Sequence, residues 1–202
     1  MRAILLTSAK DCLDDVTARA MKRPALLKLV MFQIVWLSCA FGAARGQSSP
    51  GIVAAAILVA WHIASAPQWR PATITVFAAG TIGFIAESLL VATGLLRYSA
   101  ACPTESHAPA WIVALWFAFG TTLETTRRLL GSHPLAKSTL LGLSLGPLSY
   151  LAGERLGALA FPEPLWPSYL AAAMVWCVAY PGLLALERTL TQDKRFQPNG
   201  RV

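Results

Sequence analysis

Glu87 and Tyr150 are the two residues whose type and surroundings best suit them to chemistry. Glu87 is the one acidic residue in the apolar run 71–96, and Tyr150 follows Pro147 in a second apolar run. A carboxyl group held in apolar surroundings can act as an acid or a base, and a phenol beside it can donate a hydrogen bond. We therefore interpret Glu87 and Tyr150 as candidate catalytic residues.

Glu87 also has a purely structural interpretation, as a protonated acid that bonds a neighbouring helix, and the sequence leaves the two interpretations balanced. An ionisable group deep in a membrane span is a functional hypothesis by default. A charged and unpaired carboxylate there would cost several kcal/mol. We predict that Glu87 is functional and keeps its proton at neutral pH.

Pro147 frees a backbone carbonyl and is expected to kink its helix. One arrangement brings Glu87, Tyr150 and Glu154 together in a polar pocket beneath the kink, which makes Glu154 a candidate substrate-binding residue. In the other, Tyr150 bonds the freed carbonyl and Glu154 lies near the outer interface. The second is favoured for Glu154, because a charge near the end of a span is cheap.

Tryptophans inside the apolar runs are candidates for the wall of a ligand pocket. We interpret Trp36 and Trp116 as substrate-binding residues on this basis, and Trp61 and Trp176 share the pattern. The alternative is packing, which is the more frequent role of such side chains.

The composition is that of a polytopic membrane protein. Hydrophobic residues make up 55% of the 202 residues and charged residues 13%, and the mean hydropathy is +0.54; these values lie outside the range of soluble domains. The formal charge is +7, but the basic residues lie at the edges of apolar runs, so no nucleic-acid partner is expected. The cysteines lack metal-ligand spacing and no cofactor fingerprint appears, so neither a metal nor a cofactor is expected.

The hydrophobic pattern predicts an all-α bundle of about six transmembrane helices. The expected spans are residues 25–44, 52–66, 72–96, 109–130, 135–159 and 165–186. A run of about 20 residues crosses roughly 30 Å of hydrocarbon at 1.5 Å per residue. Residues 1–24 are expected to form a mobile tail before the domain 25–188, and residues 189–202 a second tail.

Lysines and arginines set the expected orientation. Thirteen of them fall on one side of the predicted spans, whereas Arg45, Arg97 and Arg155 fall on the other. Basic loops are retained in the cytoplasm. Both termini, with the two tails, are therefore expected to be cytoplasmic.

Glycines indicate where helices approach closely in a membrane. In the third span Gly80, Gly83 and Gly94 share an arc of about 60° with Glu87. Four glycines of the fifth span share a similar arc: Gly142, Gly146, Gly153 and Gly157. We therefore predict that these two helices pack against each other through their glycine faces and enclose Glu87.

Four stretches resemble a family of small bacterial inner-membrane proteins catalogued as a domain of unknown function. They are MFQIVWLSCAFGA at 31–43, GFIAESLLVATGLLRY at 83–98, PAWIVALWFAF at 109–119 and LGLSLGPLSYLAGERLGALAF at 141–161. Family members carry Asp followed by Trp where this sequence has Glu87 and Ser88. This sequence therefore keeps the acid, on a side chain longer by one methylene, but lacks the adjacent aromatic residue. The resemblance implies a multi-pass protein of the bacterial inner (plasma) membrane. It also implies a link to lipid, because genes of the family often lie next to genes for fatty-acid-modifying enzymes.

Three functions compete at this point. A lipid- or isoprenoid-linked membrane enzyme or accessory factor would use Glu87 as acid or base and Tyr150 as a hydrogen-bond donor, with a lipid or isoprenoid as ligand. A small proton-coupled transporter, acting as a homodimer, would use Glu87 as its carrier site and Pro147 as a hinge, although no internal repeat is evident. A structural partner of another membrane protein needs no site. The lipid-linked role is favoured, and whether it is enzymatic stays open.

The charge asymmetry gives a testable topology. A reporter fused after Arg195 is expected to be active only when it is of a cytoplasmic type, and one fused within 101–106 only when it is of a periplasmic type. Reversed activities at either position would overturn the orientation.

Overall fold

The computed structural model describes residues 25–99 and 106–193, and this part of the chain is helical apart from one small sheet. Its helices are α1 (Ala25–Ala44), α2 (Ser49–Ser65), α3 (Trp69–Ala92), α4 (Ala110–Gly120), α5 (Leu123–Leu130), α6 (Pro134–Arg155) and α7 (Leu165–Gln192). Strand β1 (Arg97–Tyr98) pairs antiparallel with β2 (Leu159–Ala160), with Tyr98 opposite Leu159. The predicted tail 1–24 lies outside the described residues, as do residues 194–202 of the predicted second tail 189–202, whereas residues 189–192 belong to α7.

Within residues 25–99 and 106–193, three helices are long and apolar enough to cross a membrane, namely α1, α3 and α7, and two shorter ones, α2 and α4, are also apolar. Large apolar side chains remain exposed on the outside of the bundle, as at Ile57, Phe77 and Val178. In a soluble protein such a surface would be a liability, whereas in hydrocarbon it costs nothing. The chain therefore has the helices and the surface of a membrane protein.

The predicted fourth span is one helical path with a break at Thr121 and Thr122. Both residues keep right-handed helical backbone angles, but their N–H groups bond to Ala118 and Phe119, three residues back rather than four. Their hydroxyls bond the same two carbonyls at 2.7 Å. Threonine hydroxyls that bond back in this way compete with the regular α-helical ladder, and α5 begins just after the break.

Two predicted spans end earlier than the sequence suggested, because each closes in a glycine turn. Gly94 and Gly157 have positive φ angles of 72° and 80°. Leu95 N–H bonds Leu90 O at 3.0 Å, and Ala158 N–H bonds Gly153 O at 2.9 Å. These are Schellman turns, which need a residue that tolerates the left-handed conformation. Gly94 and Gly157 are thus turn residues and not helix-packing residues, while α7 runs to Gln192, past its predicted end at 186.

The glycine face of α3 packs against α4. A Cβ atom added at Gly83 would overlap the ring of Trp116, and one added at Gly80 would overlap the ring of Phe117. Glycine therefore leaves the space into which α4 inserts two aromatic rings.

The glycine face of α6 packs against α7. A Cβ atom added at Gly142 would lie 2.5 Å from Trp176 O, and one at Gly146 would lie 2.6 Å from Trp176 Cγ. At Gly153 the nearest atom is Cδ2 of Leu159 in β2, at 3.2 Å. The two glycine faces thus contact α4, α7 and β2 instead of each other, which corrects the predicted pairing of the third and fifth spans.

Close packing at Gly83 gives a stability prediction. Gly83→Ala is expected to lower the free energy of unfolding by about 1–3 kcal/mol, because the methyl group overpacks the contact with Trp116. Gly182→Ala is the matched control, since nothing lies within 4 Å of a Cβ atom there, and it should be neutral or stabilising by up to about 1 kcal/mol. The unfolding temperatures of both variants in one detergent measure the difference. Equal unfolding temperatures would mean that the packing of α4 against α3 does not require glycine at position 83.

Candidate functional site

The carboxyl group of Glu87 accepts hydrogen bonds from three other segments of the chain. Tyr98 donates its hydroxyl to Oε2 at 2.5 Å. Trp116 donates Nε1–H to Oε1 at 2.8 Å, and Tyr150 donates its hydroxyl to Oε1 at 2.5 Å. These four residues form the Glu87 cluster, which joins α3, β1, α4 and α6.

The local sequence of α3 explains how Trp116 reaches the carboxyl group. Gly83 lies one helical turn before Glu87, on the same face. Because Gly83 has no side chain, the indole of Trp116 lies against the backbone there. Its N–H group then meets the carboxyl group one turn further along α3.

The other two donors are held by the small sheet and its surroundings. Tyr98 pairs with Leu159 across the sheet, and its ring packs edge-on against Trp111 with 5.3 Å between ring centres. Tyr150 packs against Phe161, which follows β2, with 5.9 Å between ring centres. Both phenols are thus held by packing as well as by their hydrogen bonds to Glu87.

Glu87 is buried by side chains that cover it at the end of α3 as much as by its position along that helix. Glu87 lies five residues before the end of α3 at Ala92, nearer the helix end than the predicted span placed it. Its side chain nevertheless has 0% exposure. Leu96, Leu159 and Phe161 pack in one apolar cluster with Tyr150 and close this end of the bundle.

The cluster contains donors of two kinds. The indole of Trp116 can only donate, whereas each phenol can either donate or accept. No ion pair joins Glu87 to a cation in the described part of the chain. The arrangement therefore accommodates an ionised carboxylate with three donors, or an acid whose own proton goes to a phenol oxygen, and the protonated state of Glu87 stays a prediction.

A cavity of about 550 Å³ borders the cluster. Along α4 and α5 its lining extends from Trp111 to Thr126, a distance of about 22 Å at 1.5 Å per residue. It also follows α1 from Leu29 to Ala40 and α6 from Leu141 to Gly153. The cavity is therefore long and narrow and runs along the helices.

Aromatic rings form much of the cavity wall. Trp116 stacks on Trp176 with 4.6 Å between ring centres, and Phe119 contacts Trp176 and Tyr180 at 5.1 and 5.2 Å. The indole N–H group of Trp111, in this wall, is buried without a hydrogen-bond partner in the described chain, and that of Trp176 approaches only the hydroxyl of Tyr150. The wall is apolar, and its indole donors are not fully used by the described chain.

The cavity reaches the outside of the bundle between α1 and α6. Leu145 and Leu148 line it and are each 55% exposed, and Gln33 of α1 lines it and is exposed as well. An opening flanked by exposed leucines faces the surface that lipid would cover.

The structure brings together most of the residues that the sequence singled out, although their roles stay predictions. Tyr150 and Trp116 both donate to Glu87, and Trp36 lines the cavity. Glu154 lies apart from them. Its carboxyl group accepts the N–H group of Phe161 at 3.0 Å and the hydroxyl of Tyr169 at 3.2 Å, and it does not line the described cavity.

Of the two arrangements weighed for Tyr150, the structure has its hydroxyl bonded to Glu87 and not to the carbonyl freed by Pro147. Trp61 is 40% exposed on α2 and does not line the described cavity. Sequence reasoning missed Tyr98, which resembled an aromatic residue at the membrane interface. Its role depends on the pairing of β1 with β2, for which the sequence holds no short-range signal.

Over residues 25–182 the sequence matches a family model described as a protein of unknown function, DUF2878. The matched part contains the whole Glu87 cluster and the described lining of the cavity. No curated protein and no solved structure matches the chain.

The hydrogen bonds of the cluster predict how two variants of Glu87 differ. Glu87→Gln should unfold within about 1 kcal/mol of the parent, because the amide oxygen still accepts from Trp116 and Tyr150 and the amide nitrogen can donate to Tyr98. Glu87→Leu should lose at least about 3 kcal/mol, since three buried donors lose their acceptor at roughly 1–3 kcal/mol each. Unfolding in mixed detergent micelles measures both, and a Leu variant as stable as the Gln variant would show that these hydrogen bonds do not hold the segments together.

Proposed function

The chain belongs to a family of proteins of unknown function, DUF2878, and we propose that it is an integral membrane protein that binds a lipid or isoprenoid chain in the cavity beside the Glu87 cluster. On this proposal it works as a lipid-linked membrane enzyme or accessory factor. The protein lies in the bacterial inner membrane with six spans and both termini in the cytoplasm. The right-handed helical backbone angles of Thr121 and Thr122, between α4 and α5, support counting the two helices as one of those spans despite the break.

The observation that carries the proposal is an elongated apolar cavity with one acid–phenol cluster in its wall. Its volume of about 550 Å³ lies within the range of roughly 300–1,000 Å³ typical of ligand sites. A mostly apolar pocket with a few convergent polar groups is the usual form of a small-molecule site. An extended hydrocarbon chain matches both the length of the cavity and its apolar lining.

Access from the side supports a ligand that is dissolved in the bilayer. The exposed leucines Leu145 and Leu148 flank the opening between α1 and α6. A lipid or isoprenoid can pass between them without leaving hydrocarbon, whereas a polar solute would have to shed its water first.

Within the cluster, Tyr150 is the group that meets the ligand. Tyr150 and Glu87 both line the cavity, but Tyr150 keeps 4% exposure, whereas Glu87 has none. Glu87 therefore acts through Tyr150: when the carboxyl group carries a proton it donates to the phenol oxygen, which frees the phenol O–H to donate to a polar group on the ligand. If Tyr150 gives its proton to the ligand, Glu87 passes its own proton to the phenol oxygen. Acid–base catalysis by a positioned pair of this kind typically contributes about 10²–10⁴ in rate.

Narrowing the opening tests the binding proposal. Leu148→Trp is expected to weaken retention of tritiated farnesol on the purified protein in detergent by about tenfold, or roughly 1.4 kcal/mol, because the indole obstructs the cavity. Leu143→Trp is the matched control, since Leu143 is also an exposed leucine of α6 but does not line the described cavity. Farnesol that binds no better to the parent protein than to protein-free micelles would overturn the proposal.

A second arm of the same test separates chemistry from structure. The membrane lipids of a deletion strain are compared with those of its parent, and the strain is complemented with the wild type, Glu87→Gln or Glu87→Asp. The chemical role predicts an altered lipid profile that the Gln variant fails to restore and the Asp variant restores at least in part. An unaltered profile with farnesol binding intact would favour the transporter, and full activity of the Gln variant would favour the structural partner.

A further inference from the structure

We infer that the cavity is selective for chains that end in an uncharged oxygen group, such as an alcohol or an ester, over the same chains ending in a phosphate, a carboxylate or an amine. This inference rests on the proposed function, because it names the class of ligand that the same cavity takes. It follows from how charge is distributed over two cavities in the described part of the chain.

The cavity beside the Glu87 cluster has no cation in its wall. Glu87 is the one Asp, Glu, Lys, Arg or His that lines it in the described chain, and the other polar lining groups are hydroxyls, an amide and indoles. The charged side chains gather instead around a second cavity of about 260 Å³ at the far end of α5. There Arg127 pairs with Glu187, and Arg128 pairs with Glu124 at 2.5 Å.

An anionic head group is excluded because nothing in the wall can neutralise it. A phosphate or carboxylate pulled out of water needs a paired charge or a dense set of donors. The carboxyl group of Glu87 supplies no positive charge in either of its states. When it is ionised it repels the anion, and when it is protonated it is neutral. Both arginines are already paired in the other cavity.

An ammonium head group is disfavoured for a different reason. The two oxygens of Glu87 already accept from Tyr98, Trp116 and Tyr150, and the side chain has no exposed surface. An ammonium group can only donate. Three of the carboxylate's roughly four lone-pair sites are taken, and the burial of Glu87 keeps an ammonium group from reaching the remainder.

A neutral oxygen complements the wall. The buried indole N–H of Trp111 has no partner in the described chain, and that of Trp176 approaches only the hydroxyl of Tyr150. An indole N–H can only donate. Ser149 and Tyr150 add no free donor, because their hydroxyls already donate to Gly146 O and to Glu87. A hydroxyl or carbonyl oxygen on the ligand can accept from the indoles without bringing a charge into the cavity.

Competition among chains of equal length tests the inference on the wild-type protein. Tritiated farnesol bound to the purified protein in detergent is displaced with unlabelled farnesol, farnesyl acetate, farnesyl monophosphate or farnesylamine, and protein-free micelles serve as the blank. Farnesol and its acetate are expected to compete at similar concentrations, and the phosphate and the amine at least about tenfold less well. A phosphate or an amine that competes as well as farnesol would overturn the inference while leaving the proposed function in place, whereas no specific farnesol binding would overturn the proposed function itself.

A cation placed in the wall provides an independent arm. Thr126→Lys, at the end of the lining near Arg127, is expected to improve competition by farnesyl monophosphate at least about tenfold, because the ammonium group neutralises the phosphate. Thr189→Lys is the matched control, since Thr189 is exposed near the end of α7 and does not line the described cavity. Equal gains in both variants would mean that surface attraction, and not the cavity, sets the preference; a Thr126→Lys protein that does not fold leaves the wild-type competition series to decide.

Discussion

The structure depends on a buried carboxyl group that has to be satisfied by groups from elsewhere in the chain. Water cannot reach Glu87, so its oxygens need partners from the protein or they impose a large desolvation cost. The three donors come from β1, α4 and α6. One side chain of α3 therefore fixes the relative positions of three other segments. The apolar cluster of Leu96, Leu159 and Phe161, the contact of Gly83 with Trp116 and the wall of the cavity are all arranged around it.

The sequence identified the acid and one of its donors because both interrupt apolar runs. Glu87 and Tyr150 could be singled out from local pattern alone, since a polar group is expensive in such surroundings. Tyr98 could not. Its hydroxyl reaches Glu87 only because residues 97–98 pair with residues 159–160, and two-residue strands leave no periodic signal to read.

Glycines show where sequence reasoning reaches its limit. A small residue in an apolar run marks a close approach, but it does not specify the partner. Gly83 faces an indole of α4 and not another glycine. The same residue type also ends helices, so Gly94 and Gly157 could not be distinguished from packing residues until their left-handed backbone angles were known. The break at Thr121 and Thr122 could not be predicted for a similar reason. Threonine is compatible with a helix, and it disturbs the helix only where its hydroxyl bonds a carbonyl of the preceding turn.

The separation of the cluster along the chain has a consequence for how the protein is made. Synthesis proceeds from the N-terminus, so α3 carries Glu87 towards the membrane before Trp116 and Tyr150, 29 and 63 residues further on, have left the ribosome. Through that interval the carboxyl group must be satisfied by water or by a proton of its own. The three donors are synthesised in the order Tyr98, Trp116 and Tyr150, so the last of them comes with α6. Completion of the cluster is thus a late event of assembly: a chain halted before α6 already holds Tyr98 and Trp116 but still lacks Tyr150, the last donor to the carboxyl group.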